Sequence, residues 1–357
     1  MKAAVLHAPG DIRFEDVPVP RLNFDEVLIR VRAAGICGSD IPRVMVTGTY
    51  RFPTIPGHEF AGEIAEVGKK VKYGAVGDRV AVIPCIPCRT CTYCEHGDFF
   101  HCKEYNFLGS RTDGGFAEYV KVPADNIVML PKEVDFEEGA CTEPLSVSLH
   151  IINRAGGLNP GDRVAVFGAG PIGSFCAQWA KILGAEQVFL VDIVEKKLET
   201  ARELRIDYRI NANEHNPVEE ILNATEGEGV DLSVEAAGTE ITLQQCLKTT
   251  RKKGTAVVVG RAEHDMCIPQ KIMSEFLRKE LALFGGWGFE FVHFPHHTWK
   301  TSLHFLKEKK IKVKPLITHR FRLKEAPRVF KMMYEGREYF HKILFLLEEG
   351  RNESCGS

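Results

Sequence analysis

The chain has 357 residues, of which 44% are hydrophobic and 26% charged, and its formal net charge is −2. These values are ordinary for a globular protein of roughly two domains, and they exclude a disordered or fibrous chain. The near-zero charge gives no basic footprint for nucleic acid or an anionic membrane surface, so neither partner is expected. The unusual feature of the composition is its 11 cysteines.

The cellular compartment decides how these cysteines are interpreted. The N-terminus lacks the apolar core of a signal peptide, and the longest uncharged stretch, 164–180, is glycine-rich and too short for a membrane helix. We therefore expect a cytoplasmic protein, where structural disulfides are rare. A tight cysteine cluster in that compartment favours a metal site.

In chain order, the first 130 residues predict short strands bounded by turn residues, at 27–32, 61–68 and 78–82. Short apolar runs at 164–167, 188–191, 230–234, 255–259 and 281–284 then alternate with helical patterns such as 172–183 and 196–204. This alternation indicates βαβ units and a parallel sheet. A last helix is predicted at 299–309. We expect an α/β protein with domains at 1–151 and 152–289, and a return to the first domain at 290–351.

Four cysteines lie in one short segment, within a predicted lobe at about 85–103. They are Cys88, Cys91, Cys94 and Cys102. Four thiolates complete a tetrahedral zinc site and leave no open position, which favours a structural zinc. An iron–sulfur cluster on Cys85, Cys88, Cys91 and Cys94 is the alternative, although bacterial clusters use a C-x3-C-P ending that is missing here. A zinc-finger nucleic-acid module is disfavoured because the lobe has no basic recognition helix.

A G-x-G-x-x-G motif lies between a predicted strand and a predicted helix, as in dinucleotide-binding sites. Its residues are Gly168, Gly170, Pro171, Ile172 and Gly173, followed by Asp192 at the end of the next strand and Lys197 on the next helix. The glycines allow the backbone to approach a pyrophosphate at a helix N-terminus. Asp192 would accept hydrogen bonds from the ribose hydroxyls and repel a 2′-phosphate, which favours NAD over NADP. Lys197 is expected to cover the adenosine ribose.

Several further motifs gain meaning from their order along the chain. They are G-I-C-G-S-D at 35–40, G-H-E-F-A-G-E-I at 57–64, D-G-G-F-A-E-Y at 113–119 and E-P-L-S-V at 143–147. Together with the cysteine lobe and the glycine motif, they resemble the zinc-dependent medium-chain dehydrogenases/reductases of the alcohol, sorbitol and threonine dehydrogenase type. The resemblance covers nearly the whole chain. It implies a GroES-like catalytic domain, a Rossmann domain and an active site in the cleft between them. It also implies a homodimer or homotetramer formed through the last Rossmann strand, at 281–287.

The resemblance further implies a catalytic zinc. Its ligands would be Cys37, His58, Glu59 and Glu143, with one carboxylate or the other binding directly or through water. Asp40 would orient the ligand histidine, and Ser39 would pass the alcohol proton towards the cofactor ribose. The expected cofactors are therefore two zinc ions per subunit, one catalytic and one structural, and NAD.

The substrate implied by the resemblance is a small polyol or polyol phosphate. The expected reaction is oxidation of galactitol 1-phosphate to tagatose 6-phosphate. Many relatives carry a relay histidine three residues after the serine, whereas this chain has Pro42 and then Arg43. The candidate substrate-binding residues are Arg43, Ser110 and Arg111. Either arginine could bind a phosphate, and a surface ion pair is the plain alternative for each.

Other functions stay open at this point. They are oxidation of sorbitol, of another polyol or of L-threonine, and a non-enzymatic role as an NAD-binding zinc regulatory protein. The regulatory role is disfavoured because a sensor has no need for an open metal position. A third metal site at His293, His296 and His297 lacks a matching cysteine or carboxylate, and we interpret this segment as an exposed loop.

Overall fold

The computed structural model describes residues 1–290 and 297–347. The chain forms two compact units, one of Met1–Cys141 with the C-terminal segment from Ile317, and one of Thr142–Leu316. The described residues include no helix with both the length and the hydropathy needed to cross a membrane. His293, His296 and the tail cysteine Cys355 lie outside the described residues.

The regular elements follow in chain order. The strands are β1 (Lys2–Ala8), β2 (Asp11–Asp16), β3 (Glu26–Gly35), β4 (Glu59–Val67), β5 (Arg79–Val82), β6 (Cys85–Ile86), β7 (Asn106–Phe107), β8 (Tyr119–Pro123), β9 (Ile127–Met129), β10 (Arg163–Phe167), β11 (Gln187–Asp192), β12 (Tyr208–Asn211), β13 (Val230–Glu235), β14 (Thr250–Val258), β15 (Ala282–Gly285), β16 (Ile317–Arg322) and β17 (Lys342–Leu346). The helices are α1 (Asp40–Pro42), α2 (Thr92–Glu95), α3 (Phe136–Ala140), α4 (Thr142–Arg154), α5 (Pro171–Ile182), α6 (Glu195–Glu203), α7 (Pro217–Ala224), α8 (Glu240–Thr249), α9 (Gln270–Lys279), α10 (Thr298–Lys307) and α11 (Ala326–Glu335). Single turns of 3-10 or π helix occupy Arg43–Thr47, Phe99–His101, Ala124–Asn126, Lys314–Leu316 and Leu323–Glu325.

The first unit is built on a mixed sheet of order β16-β17-β3-β4-β5-β9, with β8 also paired to β3. The predicted strands at 27–32, 61–68 and 78–82 are confirmed as β3, β4 and β5. The aromatic centre of this unit's core is formed by Phe116, Phe330 and Phe345, whose rings are fully buried and contact one another. Two of these rings come from the C-terminal segment, which is therefore part of this core.

The pairing of β3 with β4 brings distant residues together. The two strands are antiparallel, and Gly35 at the end of β3 lies opposite Glu59 at the start of β4. The chain that leaves β3 therefore runs beside the chain that enters β4. This register places residues 36–40 next to residues 58 and 59.

The second unit contains a six-stranded, fully parallel sheet of order β12-β11-β10-β13-β14-β15. This is the strand order of the doubly wound dinucleotide-binding fold. The five predicted strands and the helices predicted at 172–183, 196–204 and 299–309 are confirmed as β10, β11, β13, β14, β15, α5, α6 and α10. Strand β12 was not predicted, because it has only four residues and the first two are exposed.

The compact units do not end at the predicted domain boundaries of 151 and 289. Helix α4 belongs to the second unit, where the indole nitrogen of Trp179 on α5 donates to the carbonyl of Leu145 at 3.0 Å. Helix α10 also lies in that unit, and its Ser302 is hydrogen-bonded to Ser146 of α4 at 3.4 Å. The domain division at 1–151, 152–289 and 290–351 stays a prediction, since compact units and domains of a family need not end at the same residue.

Candidate active site

Cys37, His58 and Glu59 converge at the end of the β3–β4 pair. One candidate ligand atom from each residue lies within 4.8 Å of those of the other two. His58 and Glu59 are buried and Cys37 is half-buried. A thiolate, an imidazole and a carboxylate are the ligand types of catalytic zinc sites, in which three protein ligands leave one position open. The donor set within this unit therefore fits a zinc ion.

Asp40 links two of these candidate ligands from within the fold. Its Oδ2 accepts a hydrogen bond from the backbone N–H of Cys37 at 3.1 Å, and its Oδ1 lies 3.3 Å from Nδ1 of His58. This contact leaves Nε2 as the ring nitrogen for a metal, and a carboxylate in that place orients the ring.

Charge around Asp40 is balanced although the residue is completely buried. Nη1 of Arg43 donates to its Oδ1 at 2.8 Å. Burial would raise the pKa of Asp40, but His58, Arg43 and the Cys37 N–H together lower it below its ordinary value. Burial likewise opposes protonation of His58, yet the Asp40 carboxylate and the Cys37 sulfur hold the pKa of that imidazole well above its ordinary value. Metal binding at His58 would therefore compete with its protonation.

Glu59 forms a buried ion pair with Lys342, a residue that sequence reasoning missed. The Lys342 ammonium also donates to the carbonyl of Ile36 at 3.0 Å. Burial would lower the pKa of Lys342, but the Glu59 carboxylate outweighs burial and raises it. No local motif marks this lysine in the sequence, because it reaches the cluster only through the pairing of β17 with β3.

Ser39 and Glu143 complete the account of the predicted catalytic residues. The Ser39 hydroxyl donates to Sγ of Cys37 at 3.3 Å, so it lies beside the candidate ligand. Glu143 is buried in the first turn of α4 and belongs to the second unit. The cluster within the first unit therefore contains three of the four predicted ligands.

The cysteine lobe brings its four predicted ligands together. Cys88, Cys91, Cys94 and Cys102 form one candidate metal group, with Sγ–Sγ distances of 3.6 Å for 91–94, 3.9 Å for 88–94 and 4.0 Å for 91–102. Hydrogen bonds from the backbone and side chain of Thr90 lower the pKa of Cys88 to about 6, which favours the thiolate that a metal needs. Four thiolates from one loop fit a closed, structural zinc site.

Cys85 lies outside this group of four thiols. It is fully buried in β6, its Sγ faces the carbonyl of Phe99 at 3.8 Å, and burial raises the pKa of its thiol. Strand β6 pairs with β7 across Cys85 and Phe107, and this pair closes the base of the lobe. The ring centroid of Phe107 lies 5.4 Å from that of His58, so the base of the lobe contacts the three-residue cluster.

The glycine motif occupies the turn from β10 to α5 in the second unit. Gly168 has a φ of +104°, which favours glycine, and a side chain at Gly173 would collide with the Gly168 carbonyl. Helix α5 begins with Pro171 and Ile172, directly after its N-cap Gly170. An open backbone at a helix N-terminus is the arrangement that holds a pyrophosphate, so this turn fits the dinucleotide that the sequence predicts.

Asp192 has a second role that the sequence did not reveal. Its Oδ2 accepts a hydrogen bond from the Ala169 N–H at 2.7 Å and lies 3.3 Å from Nζ of Lys197, and its Oδ1 accepts from the Val194 N–H at 2.9 Å. The carboxylate therefore ties the glycine turn to the end of β11.

Glu235 has a comparable role that sequence reasoning missed. This buried residue at the end of β13 accepts from the N–H groups of Ala237 and Gly238 and from the hydroxyl of Thr242, at 2.7–2.8 Å. In the sequence, this role was indicated only by the position of the glutamate at the end of a predicted strand.

The three candidate substrate residues lie in different surroundings within the first unit. Arg43 is engaged by Asp40, as described above. Ser110 is buried, and its carbonyl accepts a hydrogen bond from the Tyr50 N–H at 3.3 Å. The guanidinium carbon of the half-buried Arg111 lies 3.8 Å from the ring centroid of Tyr50 and 5.5 Å from that of Tyr105.

Comparison with known proteins agrees with this arrangement. The family model of the alcohol dehydrogenase GroES-like domain matches residues 23–132, and that of the zinc-binding dehydrogenases matches residues 171–308. Galactitol 1-phosphate 5-dehydrogenase from Escherichia coli K12 is 35% identical over 321 residues, which are 90% of this chain and 92% of the relative. The chain belongs to the zinc-binding alcohol dehydrogenase family. The predicted GroES-like and Rossmann architecture is thereby confirmed.

Two further relatives show how widely the similarity extends. Sorbitol dehydrogenase from Bacillus subtilis is also 35% identical, over 91% of this chain and 91% of the relative. The crystal structure of galactitol-1-phosphate dehydrogenase from Escherichia coli has a TM-score of 0.91 at 32% identity, over 97% of this chain and 100% of that chain. This zinc-family dehydrogenase is therefore an oxidoreductase that acts on CH–OH groups of small molecules.

Proposed function

We propose that this dehydrogenase oxidises a secondary alcohol of a polyol or polyol phosphate with NAD, and that its reaction is galactitol 1-phosphate to tagatose 6-phosphate. The observation that carries the proposal is the convergence of Cys37, His58 and Glu59 at the β3–β4 ends. The relative with which the chain shares 35% identity supports the choice of substrate.

The residues present divide the chemical work. Cys37, His58 and Glu59, with Glu143 as the predicted fourth, would hold the catalytic zinc. A bound zinc would supply Lewis acidity to the alcohol oxygen, and a bound nicotinamide would accept the hydride. Asp40 holds the His58 ring and the Cys37 backbone in place. Ser39, whose hydroxyl lies beside the Cys37 sulfur, would accept the alcohol proton on its Oγ and release its own proton towards the cofactor ribose.

The cofactor preference rests on Asp192. Its carboxylate closes β11 next to the glycine turn, where it would accept hydrogen bonds from the ribose hydroxyls of NAD. The 2′-phosphate of NADP would meet the same negative charge. Lys197, whose Nζ lies 3.3 Å from Asp192, is the residue proposed to cover the ribose.

The test is a dehydrogenase assay with zinc content measured on the same sample. We expect NAD reduction with galactitol 1-phosphate, loss of activity and of two zinc ions per chain on chelation, and recovery with added zinc. NADP should be the poorer cofactor. Activity that persists in verified zinc-free protein would contradict the mechanism.

Sorbitol and L-threonine are the competing substrates, since sorbitol dehydrogenase is as similar to this chain as the galactitol-phosphate enzyme. The assay therefore includes galactitol, sorbitol and L-threonine beside galactitol 1-phosphate. A higher kcat/KM for any of these three than for the phosphate ester would reject the proposed substrate while leaving the zinc chemistry intact.

A further inference from the structure

In the part of the chain that the structure describes, no acidic side chain balances the positive charge of Arg111. Across residues 1–290 and 297–347, Arg111 forms no ion pair, and its Nε is buried without a hydrogen-bond partner. The neighbouring acid, Asp113, is engaged instead by Arg51, whose Nη2 donates to it at 2.7 Å. A half-buried charge without a counter-charge is costly, unless a ligand supplies the opposite charge.

Two tyrosine rings lie beside the Arg111 guanidinium. Tyr50 and Tyr105 lie 3.8 Å and 5.5 Å from it, and Tyr50 is exposed to solvent. Stacking on an aromatic ring uses the flat face of a guanidinium and leaves its N–H edge for ligands. That edge is the part that binds a phosphate through two parallel hydrogen bonds.

The backbone of Arg111 is fixed close to the candidate metal ligands. Its N–H donates to the carbonyl of Phe107 at 3.0 Å, and the ring of Phe107 lies against His58. The side chains of Tyr105 and Phe107 are stacked at 5.8 Å between centroids. A single aromatic wall therefore connects the imidazole that would hold zinc to the arginine.

Arg43, the other candidate, already has its charge paired with an acidic side chain. Its guanidinium donates to Asp40, which in turn contacts His58. Removing it to bind a substrate would take from a completely buried carboxylate the positive charge of Arg43. The charge of Arg43 is therefore paired within the protein, whereas the charge of Arg111 is available to a ligand.

We infer that Arg111 binds the phosphate group of a phosphorylated polyol and thereby selects it over the unphosphorylated one. The inference rests on the proposed dehydrogenase function, since it assigns the substrate class of that same site. Arg43 acts as a positioning residue for Asp40 and does not bind the phosphate.

The experiment compares Arg111→Gln, Arg111→Lys and the control Arg51→Gln, a substitution of an exposed arginine outside the aromatic wall. Binding of galactitol 1-phosphate and of galactitol is measured by calorimetry on zinc-loaded protein without NAD, so that no turnover accompanies binding. For Arg111→Gln we expect about 10- to 100-fold weaker binding of the phosphate ester, as for a lost charged hydrogen-bond pair, and little change for galactitol. Arg111→Lys should retain part of the affinity because it keeps the charge, and Arg51→Gln should match the wild type.

Two results would overturn the inference. One is an unchanged affinity for galactitol 1-phosphate in Arg111→Gln. The other is an equal loss for both polyols, which would mean that Arg111 only supports the packing of Tyr50. Inorganic phosphate serves as a probe that needs no polyol chemistry. If the wild type oxidises no polyol, the proposed function fails, whereas weaker phosphate binding by Arg111→Gln than by Arg51→Gln would still support the inference and equal binding would reject it.

Discussion

Two buried ion pairs flank the candidate zinc ligands, Arg43 with Asp40 and Lys342 with Glu59. In each pair a cation from outside the ligand set neutralises a carboxylate that has no access to solvent. Buried pairs of this kind add little to stability beyond what apolar residues would give, but breaking one leaves an uncompensated charge. The two cations therefore affect the metal cluster although neither is a ligand.

Replacement of Arg43 tests the first pair. In Arg43→Gln the Asp40 carboxylate keeps a hydrogen-bond donor but loses its fixed positive charge, so its hold on His58 and Cys37 is altered. We expect zinc affinity at this site to fall about 10- to 100-fold, as for other residues that orient metal ligands. Competition with a chromophoric chelator measures this zinc affinity. The zinc affinity of Arg43→Lys should lie between those of the wild type and Arg43→Gln. A wild-type zinc affinity in Arg43→Gln would show that Asp40 does not need the positive charge of Arg43.

Lys342 gives the corresponding prediction for stability. Lys342→Met leaves Glu59 charged and buried without its partner, and we expect the free energy of unfolding to fall by about 3–5 kcal/mol. Urea unfolding of the zinc-free protein measures the loss. The double variant Lys342→Met with Glu59→Gln removes both charges and should recover part of it. Equal losses in the single and double variants would contradict a role for the pair.

At the level of elements, the short pair β6–β7 closes a loop whose four thiols converge. The regular elements described in the lobe are only two to four residues long, so a metal is expected to hold it together. Two of its cysteines serve as matched probes, because Cys91 belongs to the group of four and Cys85 does not.

We expect Cys91→Ser to bind one zinc ion per chain where the wild type binds two, with a lower Tm. Cys85→Ala should keep both ions. Atomic absorption on dialysed protein gives the stoichiometry, and calorimetric scanning gives the Tm. A second zinc ion retained by Cys91→Ser, or lost from Cys85→Ala, would argue against the assignment of the lobe ligands.

Elements that carry their own signal were predictable from sequence. Strands β10 and β13 are short apolar runs, and the turn between β10 and α5 is indicated by its glycines. The four cysteines of the lobe converge because their spacing in one loop allows little else. The four-residue strand β12 was not predicted because its exposed first half lacks an apolar pattern.

The three-residue cluster was predictable only through family resemblance. Cys37 and His58 lie in separate segments, and they come together only through the β3–β4 register of the folded chain. Lys342 and the stacking of Arg111 on Tyr50 were not predictable, because both depend on packing between segments far apart in sequence. Arg43 was one of the candidates for a substrate phosphate, with an ion pair as its alternative, and in the structure its guanidinium donates to Asp40.

At the scale of the whole molecule, the first unit is discontinuous and the second is one continuous segment. Strand β17 lies between β16 and β3 in the sheet, and Phe330 and Phe345 complete the core of the first unit. Cytoplasmic location and assembly into a homodimer or homotetramer stay predictions.

Truncation tests this division. A chain ending at Leu316 lacks β16, α11 and β17, and we expect the first unit to lose its protection from hydrogen exchange while the second keeps it. Peptides covering 27–67 and 163–258 report on the two units by mass spectrometry. A chain ending at Leu347 is the control and should retain protection in both. Persistent protection of 27–67 in the shorter chain would contradict a requirement for the C-terminal segment.

The discontinuity of the first unit has a consequence for biosynthesis. At the usual rate of translation, the ribosome makes β17 roughly 10 to 40 seconds after residue 141. Throughout that interval the end of β3, next to Cys37, has no β17 beside it, and Glu59 lacks Lys342. The cysteine lobe, in contrast, is a single segment that is complete on the nascent chain. One metal can therefore be captured during synthesis, whereas the other site is finished only at chain release.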